Sequence, residues 1–214
     1  MRNVCMIGAS ICLLINLVFF EKSAAETSLK RLVILGDSLT AGYGIAKADA
    51  YPALLEARLN ANSTAWSVAN GGRSGDTTKN GVARLRWLMK KPADILMIAL
   101  GGNDGLRGLS PKEMRKNLKA MIDLARKTKP DIQIILAGMQ MPDNMGANYV
   151  KAFQAVFTEL AQEEKLAFVP FLLDGVAGED ALNQDDRIHP NEDGHKKMAV
   201  TVWKVLEPLL SKGE

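Results

Sequence analysis

Cysteine is almost missing from this 214-residue chain: there are two, Cys5 and Cys12, and both lie in the first dozen residues. From residue 26 onward there is no thiol, which excludes a disulfide framework and any thiolate metal site. Histidine is nearly as scarce, with only His189 and His195. Two imidazoles and no thiol make a poor zinc-hydrolase ligand set, so neither metal nor cofactor is expected. Charge of one sign is also lacking, at 27 basic against 24 acidic residues. So weak a balance provides no field for a nucleic acid or other charged polymer. Aromatic residues make up 6%, few for stacking platforms. The Gly-x-Ser-x-Gly elbow of lipase-type α/β-hydrolases is absent.

One long apolar run is present, from Val4 to Phe20, behind the basic Arg2 and ahead of the small residues Ser23-Ala24-Ala25. That is the layout of a secretory signal peptide over residues 1–25, cleaved before Glu26. The run is too short, and too interrupted by Gly8, Ser10 and Asn16, for a stable membrane span of about 20 apolar residues. A periplasmic or secreted product is therefore expected. Without Arg2, Glu21 and Lys22 its net charge falls from +3 to about +2. The remaining 26–214 are long enough for one ordinary domain, expected to be monomeric.

Along that domain, short β-rich runs alternate with stretches of helical period. Strands are expected at 31–35, 64–69, 95–100, 132–137 and 166–169. Helices are read from their apolar stripes: Val82, Leu85, Leu88 and Met89; then Met114, Leu118, Met121, Ile122 and Ala125; then 148–164 and 192–210. Ser110-Pro111-Lys112-Glu113 marks one helix start, with an N-cap serine, a proline in the first turn and a capping-box glutamate. The alternation predicts a three-layer α/β/α sandwich, flavodoxin-like, with about five parallel strands. In such sheets chemistry is found in the loops beyond the carboxyl ends of the strands.

Those loops carry the polar signals. After the first strand comes Gly36-Asp37-Ser38-Leu39, where a serine at a strand-to-helix turn can be a nucleophile or a plain helix N-cap. After the second, Asn70-Gly71-Gly72-Arg73-Ser74-Gly75-Asp76-Thr77 can bring a bare N–H to a ligand, or serve as a turn capped by Asp76 or Thr77. After the third, Asn103 in Gly101-Gly102-Asn103-Asp104-Gly105 can aim its amide at a developing oxyanion, or simply form a turn. Near the end, Asp186 stands three residues before His189 in a turn stiffened by Pro190. A carboxylate there can take the Nδ1 hydrogen and leave Nε2 to receive a proton from a serine. His195 falls inside the last helix, where a structural role is expected. Nucleophile, base, orienting carboxylate and oxyanion donors together are what a serine acyl hydrolase requires.

On these stretches the sequence resembles the SGNH, or GDSL, hydrolase family, in particular its bacterial periplasmic group of thioesterases, arylesterases and lysophospholipases. The resemblance runs from Leu32–Leu39 to Asp185–Pro190 and is most specific at Ser74–Thr77 and Gly101–Gly108. It implies a catalytic triad of Ser38, Asp186 and His189, with an oxyanion hole formed by the N–H groups of Ser38 and Gly75 and the Asn103 side chain. Arg187 departs from it, standing where the group often has glycine. The implied reaction is hydrolysis of acyl esters and thioesters through an acyl-Ser38 intermediate, with aryl esters, acyl-CoA and lysophospholipids as substrates. Leu106, Leu109, Met139, Met141, Pro142 and Met145 are candidate acyl-binding residues, since Met-rich loops adapt to flexible chains. The alternatives are a carbohydrate O-acetyl esterase, or a binding module that has lost turnover.

Overall fold

The computed structural model describes residues 29–61 and 65–211. The leader read at 1–25 and Thr64 of the second expected strand lie outside these residues. In chain order the elements are β1 (Lys30–Gly36), α1 (Ser38–Ala41), α2 (Tyr51–Leu59), β2 (Trp66–Gly72), α3 (Thr78–Leu88), β3 (Ile95–Ala99), α4 (Gly102–Leu106), α5 (Pro111–Thr128), β4 (Gln133–Ala137), α6 (Ala147–Glu163), β5 (Ala167–Val169) and α7 (Glu192–Leu210).

The five strands form one parallel sheet in the order β2-β1-β3-β4-β5. β1 and β3 sit at its centre, and their runs Leu32–Leu35 and Ile95–Ala99 are buried throughout. Continuous apolar sequence, without alternation, is what a strand covered on both faces requires. Helices provide that cover: α2 packs on α7, while α3, α5 and α6 pack side by side. The stripe read on α5 is fully inward, with Met114, Leu118, Met121, Ile122 and Ala125 all buried. Each fully buried large side chain contributes about 1.5–3 kcal/mol. α5 starts where its sequence says, at Pro111, with Ser110 Oγ accepting from the Glu113 N–H at 3.4 Å.

Three elements escape the sequence reading. α2 is one, although Pro52 in its first turn is a start signal of the same kind as Pro111. α1 and α4 are the others; four and five residues are too few for a period to show. β2 also runs on through Gly72, beyond the expected end at Ala69, because the glycines there are demanded by packing. A Cβ on Gly72 would lie 2.1 Å from the Ala41 nitrogen of α1.

The strand order places the working end. From β1 the chain moves outward to β2, then crosses back to β3 on the other side of β1. The connections leaving β1 and β3 therefore part company at their carboxyl ends and leave a crevice between them. Ser38 follows β1 and Asn103 follows β3.

Candidate active site

Ser38 owes its position to a sharp turn. β1 ends at Gly36, and a Cβ there would lie 1.9 Å from Thr40 Oγ1. Asp37, and not Ser38, caps the short helix, its Oδ1 accepting from the Leu39 N–H at 3.0 Å. This removes the N-cap reading of the serine: Ser38 is the first residue of α1, with its hydroxyl free for another partner. That partner is His189, whose Nε2 stands 3.0 Å from Ser38 Oγ. His189 Nδ1 in turn lies 2.6 Å from Asp186 Oδ2.

Asp186 is held by more than the imidazole. Its Oδ1 accepts from the N–H groups of Ile188 and His189, each at 2.9 Å. The His189 ring, then these two N–H donors, hold its carboxyl down at about 2. It is thus an anion at any pH where the histidine can act as base.

The loop after β2 brings Gly75 to the same end of the sheet at φ +81°, a conformation that favours glycine. Thr77 caps α3, its backbone N–H and its hydroxyl both donating to Asn80 Oδ1 at 3.3 and 3.0 Å, as one sequence alternative had it. Cap and ligand loop coexist, because Gly75 precedes the capped turn. Two residues of α4 and the Arg107 that follows it stitch this loop down. Asn103 Nδ2 donates to the Asp76 carbonyl at 3.0 Å, Arg107 donates to the Gly75 carbonyl at 3.0 Å, and the buried Asp104 carboxylate accepts from Thr78 N and Oγ1 at 2.8 and 2.6 Å. From the other side Arg84 reaches Asp76 Oδ2 at 2.7 Å and the carbonyls of Gly36 and Gly71 at 3.3 and 2.6 Å, tying the loop to the end of β1. Among the described residues the N–H groups of Ser38 and Gly75 donate to no protein acceptor.

Beside Ser38 opens a cleft of about 380 Å³, lined by Leu106, Met139, Met141, Pro142, Leu173, Ala177 and Ile188, among others. Four of the six residues read from the sequence as acyl-binding therefore line it. Leu109 and Met145 do not: the Leu109 carbonyl is taken by the Tyr149 hydroxyl at 2.9 Å, and Met145 packs against the core. Leu173, Ala177 and Ile188 had no local signal, since only the folded β5–α7 connection brings them beside the cleft. Arg187 is at the rim with φ +59°, its guanidinium 2.8 Å from Asp180. A larger cavity of about 640 Å³ lies at the other end of the sheet, against Asp131–Ile134 and Lys165–Ala167. It is far from the loops that carry Ser38 and His189, and size alone does not mark it as the working site.

His195 is 1% exposed, and its Nδ1 accepts from the Tyr51 N–H at 3.2 Å. Burial, partly offset by Glu192, depresses its pKa to about 4, so it is neutral and structural in place. Asp37 shows the opposite shift. Burial at the cleft floor pushes its carboxyl up to about 6, against the pull of the Leu39 N–H.

The chain as a whole is similar to known proteins. The model of the GDSL-like Lipase/Acylhydrolase family matches residues 34–197. Esterase TesA of Pseudomonas aeruginosa is 40% identical over 192 residues, covering 89% of this chain and 92% of its own. Thioesterase 1/protease 1/lysophospholipase L1 of Escherichia coli is 37% identical over 201 residues, covering 93% and 92%. Among solved structures, that of TesA superposes with a TM-score of 0.80 at 38% identity, over 84% of this chain and 99% of that one.

Proposed function

Because this chain belongs to the GDSL-like lipase/acylhydrolase family, and is an ester and thioester hydrolase of that type, we propose that its reaction runs through an acyl-enzyme on Ser38. Ser38 Oγ attacks the acyl carbonyl carbon as its proton passes to His189 Nε2. The carbonyl oxygen becomes an oxyanion, met by the N–H groups of Ser38 and Gly75 and by Asn103 Nδ2. The tetrahedral intermediate collapses, the bond to the alcohol or thiol breaks, and His189 returns the proton to the leaving group. A water then attacks the acyl-Ser38 carbonyl, giving its proton to His189, and as the bond from the acyl carbon to Ser38 Oγ breaks His189 returns that proton to Oγ and the carboxylic acid is released. Asp186 holds the Nδ1–H tautomer throughout and stabilises the imidazolium without itself taking the proton.

The observation that carries this reading is the continuous line of contacts from Asp186 Oδ2 through His189 to Ser38 Oγ, at 2.6 and 3.0 Å. The apolar cleft beside it supports acyl chains as the occupant, hence aryl esters, acyl thioesters and lysophospholipids as substrate classes. Labelling with an organophosphonate tests the mechanism. The adduct is expected on Ser38, and to be absent from Ser38→Ala; an adduct on any other residue overturns the assignment.

The leader at 1–25 supports export, with the mature chain beginning at Glu26. No helix among the described residues is long and apolar enough to cross a membrane. N-terminal sequencing of the protein from a secreting bacterium reads the outcome; an intact Met1 on a membrane-bound product refutes it.

A further inference from the structure

Ser38 and His189 are 151 positions apart and sit on different loops, yet productive proton transfer needs their side chains in register within a fraction of an ångström. Neither the His189–Asp186 bond nor the two N–H bonds to Asp186 Oδ1 provides this, because all of them lie within residues 186–189. They shape the histidine turn without fixing where that turn stands relative to the nucleophile.

We propose that Gln184 is the positioning residue that sets this register, joining the histidine turn to the loop that follows Ser38. The inference rests on the serine mechanism above. Gln184 grips the histidine turn twice through its backbone: its N–H donates to the His189 carbonyl and its carbonyl accepts from the Arg187 N–H, both at 2.8 Å. Its side-chain amide then spends one hydrogen on each side of the junction, on the Pro190 carbonyl at 2.9 Å and on the Tyr43 carbonyl at 2.7 Å. The N–H of Tyr43 in turn donates to the Ser38 carbonyl at 3.1 Å. A chain of three hydrogen bonds thus runs from the His189 backbone through Gln184 and Tyr43 to the Ser38 backbone. It parallels the single side-chain contact between Nε2 and Oγ.

Two further features belong to the same junction. Gly44 has φ +80°, and a Cβ there would lie 2.0 Å from Gln184 Oε1, so the amide seats itself where only a glycine leaves room. The Tyr43 ring, held by the same peptide, packs against the His189 ring, with centroids 4.5 Å apart and planes at 41°. Both N–H groups of the amide are used, and both acceptors are carbonyls, so no hydroxyl or carboxylate of equal length can take the place of this amide.

The test is Gln184→Ala, assayed on p-nitrophenyl butyrate with active sites titrated by organophosphonate. The kcat per titrated site and the rate of Ser38 phosphonylation are expected to fall together, on the order of tenfold to a hundredfold, with KM within about twofold of the parent. The downfield Nδ1 proton of His189 should persist in the NMR spectrum, because its bond to Asp186 lies within the turn. A structural role alone would reduce the number of titratable sites and leave turnover per site unchanged; that result overturns the proposal. Gly44→Ala, which displaces the amide from the opposite side, is read in the same way if Gln184→Ala does not fold. In the double variant the loss should be no larger than in the more impaired single one, whereas losses that multiply show two independent effects and overturn it. A parent enzyme labelled elsewhere than Ser38 would instead refute the serine mechanism, so the two failures are told apart.

Discussion

The side-chain amide of Asn103 donates to the carbonyl of Asp76 at 3.0 Å. One of its two hydrogens is therefore committed to fastening the Gly75 loop, and the other is available for an oxyanion. Asn103→Ala should lower kcat about 10²–10³-fold with KM nearly unchanged, as expected for a donor felt mainly in the transition state. The lost tie to Asp76 adds about 1 kcal/mol of destabilisation, or a Tm lower by roughly 2–4 °C. A variant with normal kcat per titrated site and a much lower Tm would make Asn103 a turn residue only.

Asp186→Asn isolates the charge and tautomer effect from loop geometry. The amide oxygen can still accept from the Ile188 and His189 N–H groups that now meet Oδ1. The NH₂ would face His189 Nδ1 and drive the proton to Nε2, so that the imidazole donates to Ser38 when it should accept. A loss of kcat on the order of 10⁴-fold with an unchanged melting curve is expected. Near-normal turnover in this variant would remove Asp186 from the relay.

Chain-length preference follows from the cleft lining. Each methylene withdrawn from water is worth about 0.8 kcal/mol, roughly fourfold in kcat/KM. Rates on p-nitrophenyl esters should therefore climb from acetate into medium chains. Ala177→Phe, which places a ring in the cleft, should remove that climb and leave acetate hydrolysis near the parental rate. A parental profile highest on acetate and falling with length points to a deacetylase.

Stability against pH should be unusually flat between about pH 4 and 6, because two buried groups oppose one another. Asp37, raised from 3.8 to about 6 by burial, binds its proton more tightly folded than unfolded and costs stability as pH rises through that window. His195, lowered from 6.5 to about 4 by burial, binds its proton less tightly folded and costs stability as pH falls through it. His195→Gln keeps an acceptor for the Tyr51 N–H but cannot titrate. Urea midpoints of this variant should decline from pH 4 to 6, with hydrolysis per titrated site close to the parent. A variant as flat as the parent, or one without hydrolysis, contradicts this.

The amino-acid sequence by itself determined the layers and singled out the candidate site residues. Short uninterrupted apolar runs at Leu32–Leu35 and Ile95–Leu100 read as strands covered on both faces, and the longer α5 stripe as a one-sided helix, since length and period are local properties of the chain. Ser38 two residues after Gly36, the glycine-flanked Asn103, and Asp186 three residues before His189, were likewise legible as candidates, because the geometry each requires is set within a few residues. Tertiary structure alone decided what holds them in register. Arg84 reaches the Gly36 carbonyl across 48 positions, Arg107 reaches Gly75 across 32, and Gln184 reaches Tyr43 across 141. Their partners are backbone carbonyls, which every residue possesses, so no residue type at the far end betrays the pairing. The cleft wall at Leu173, Ala177 and Ile188 is a product of the folded β5–α7 connection in the same way. A local pattern can specify a reactive group, whereas its distance from a partner on another loop exists only once the sheet has brought the two strand ends together.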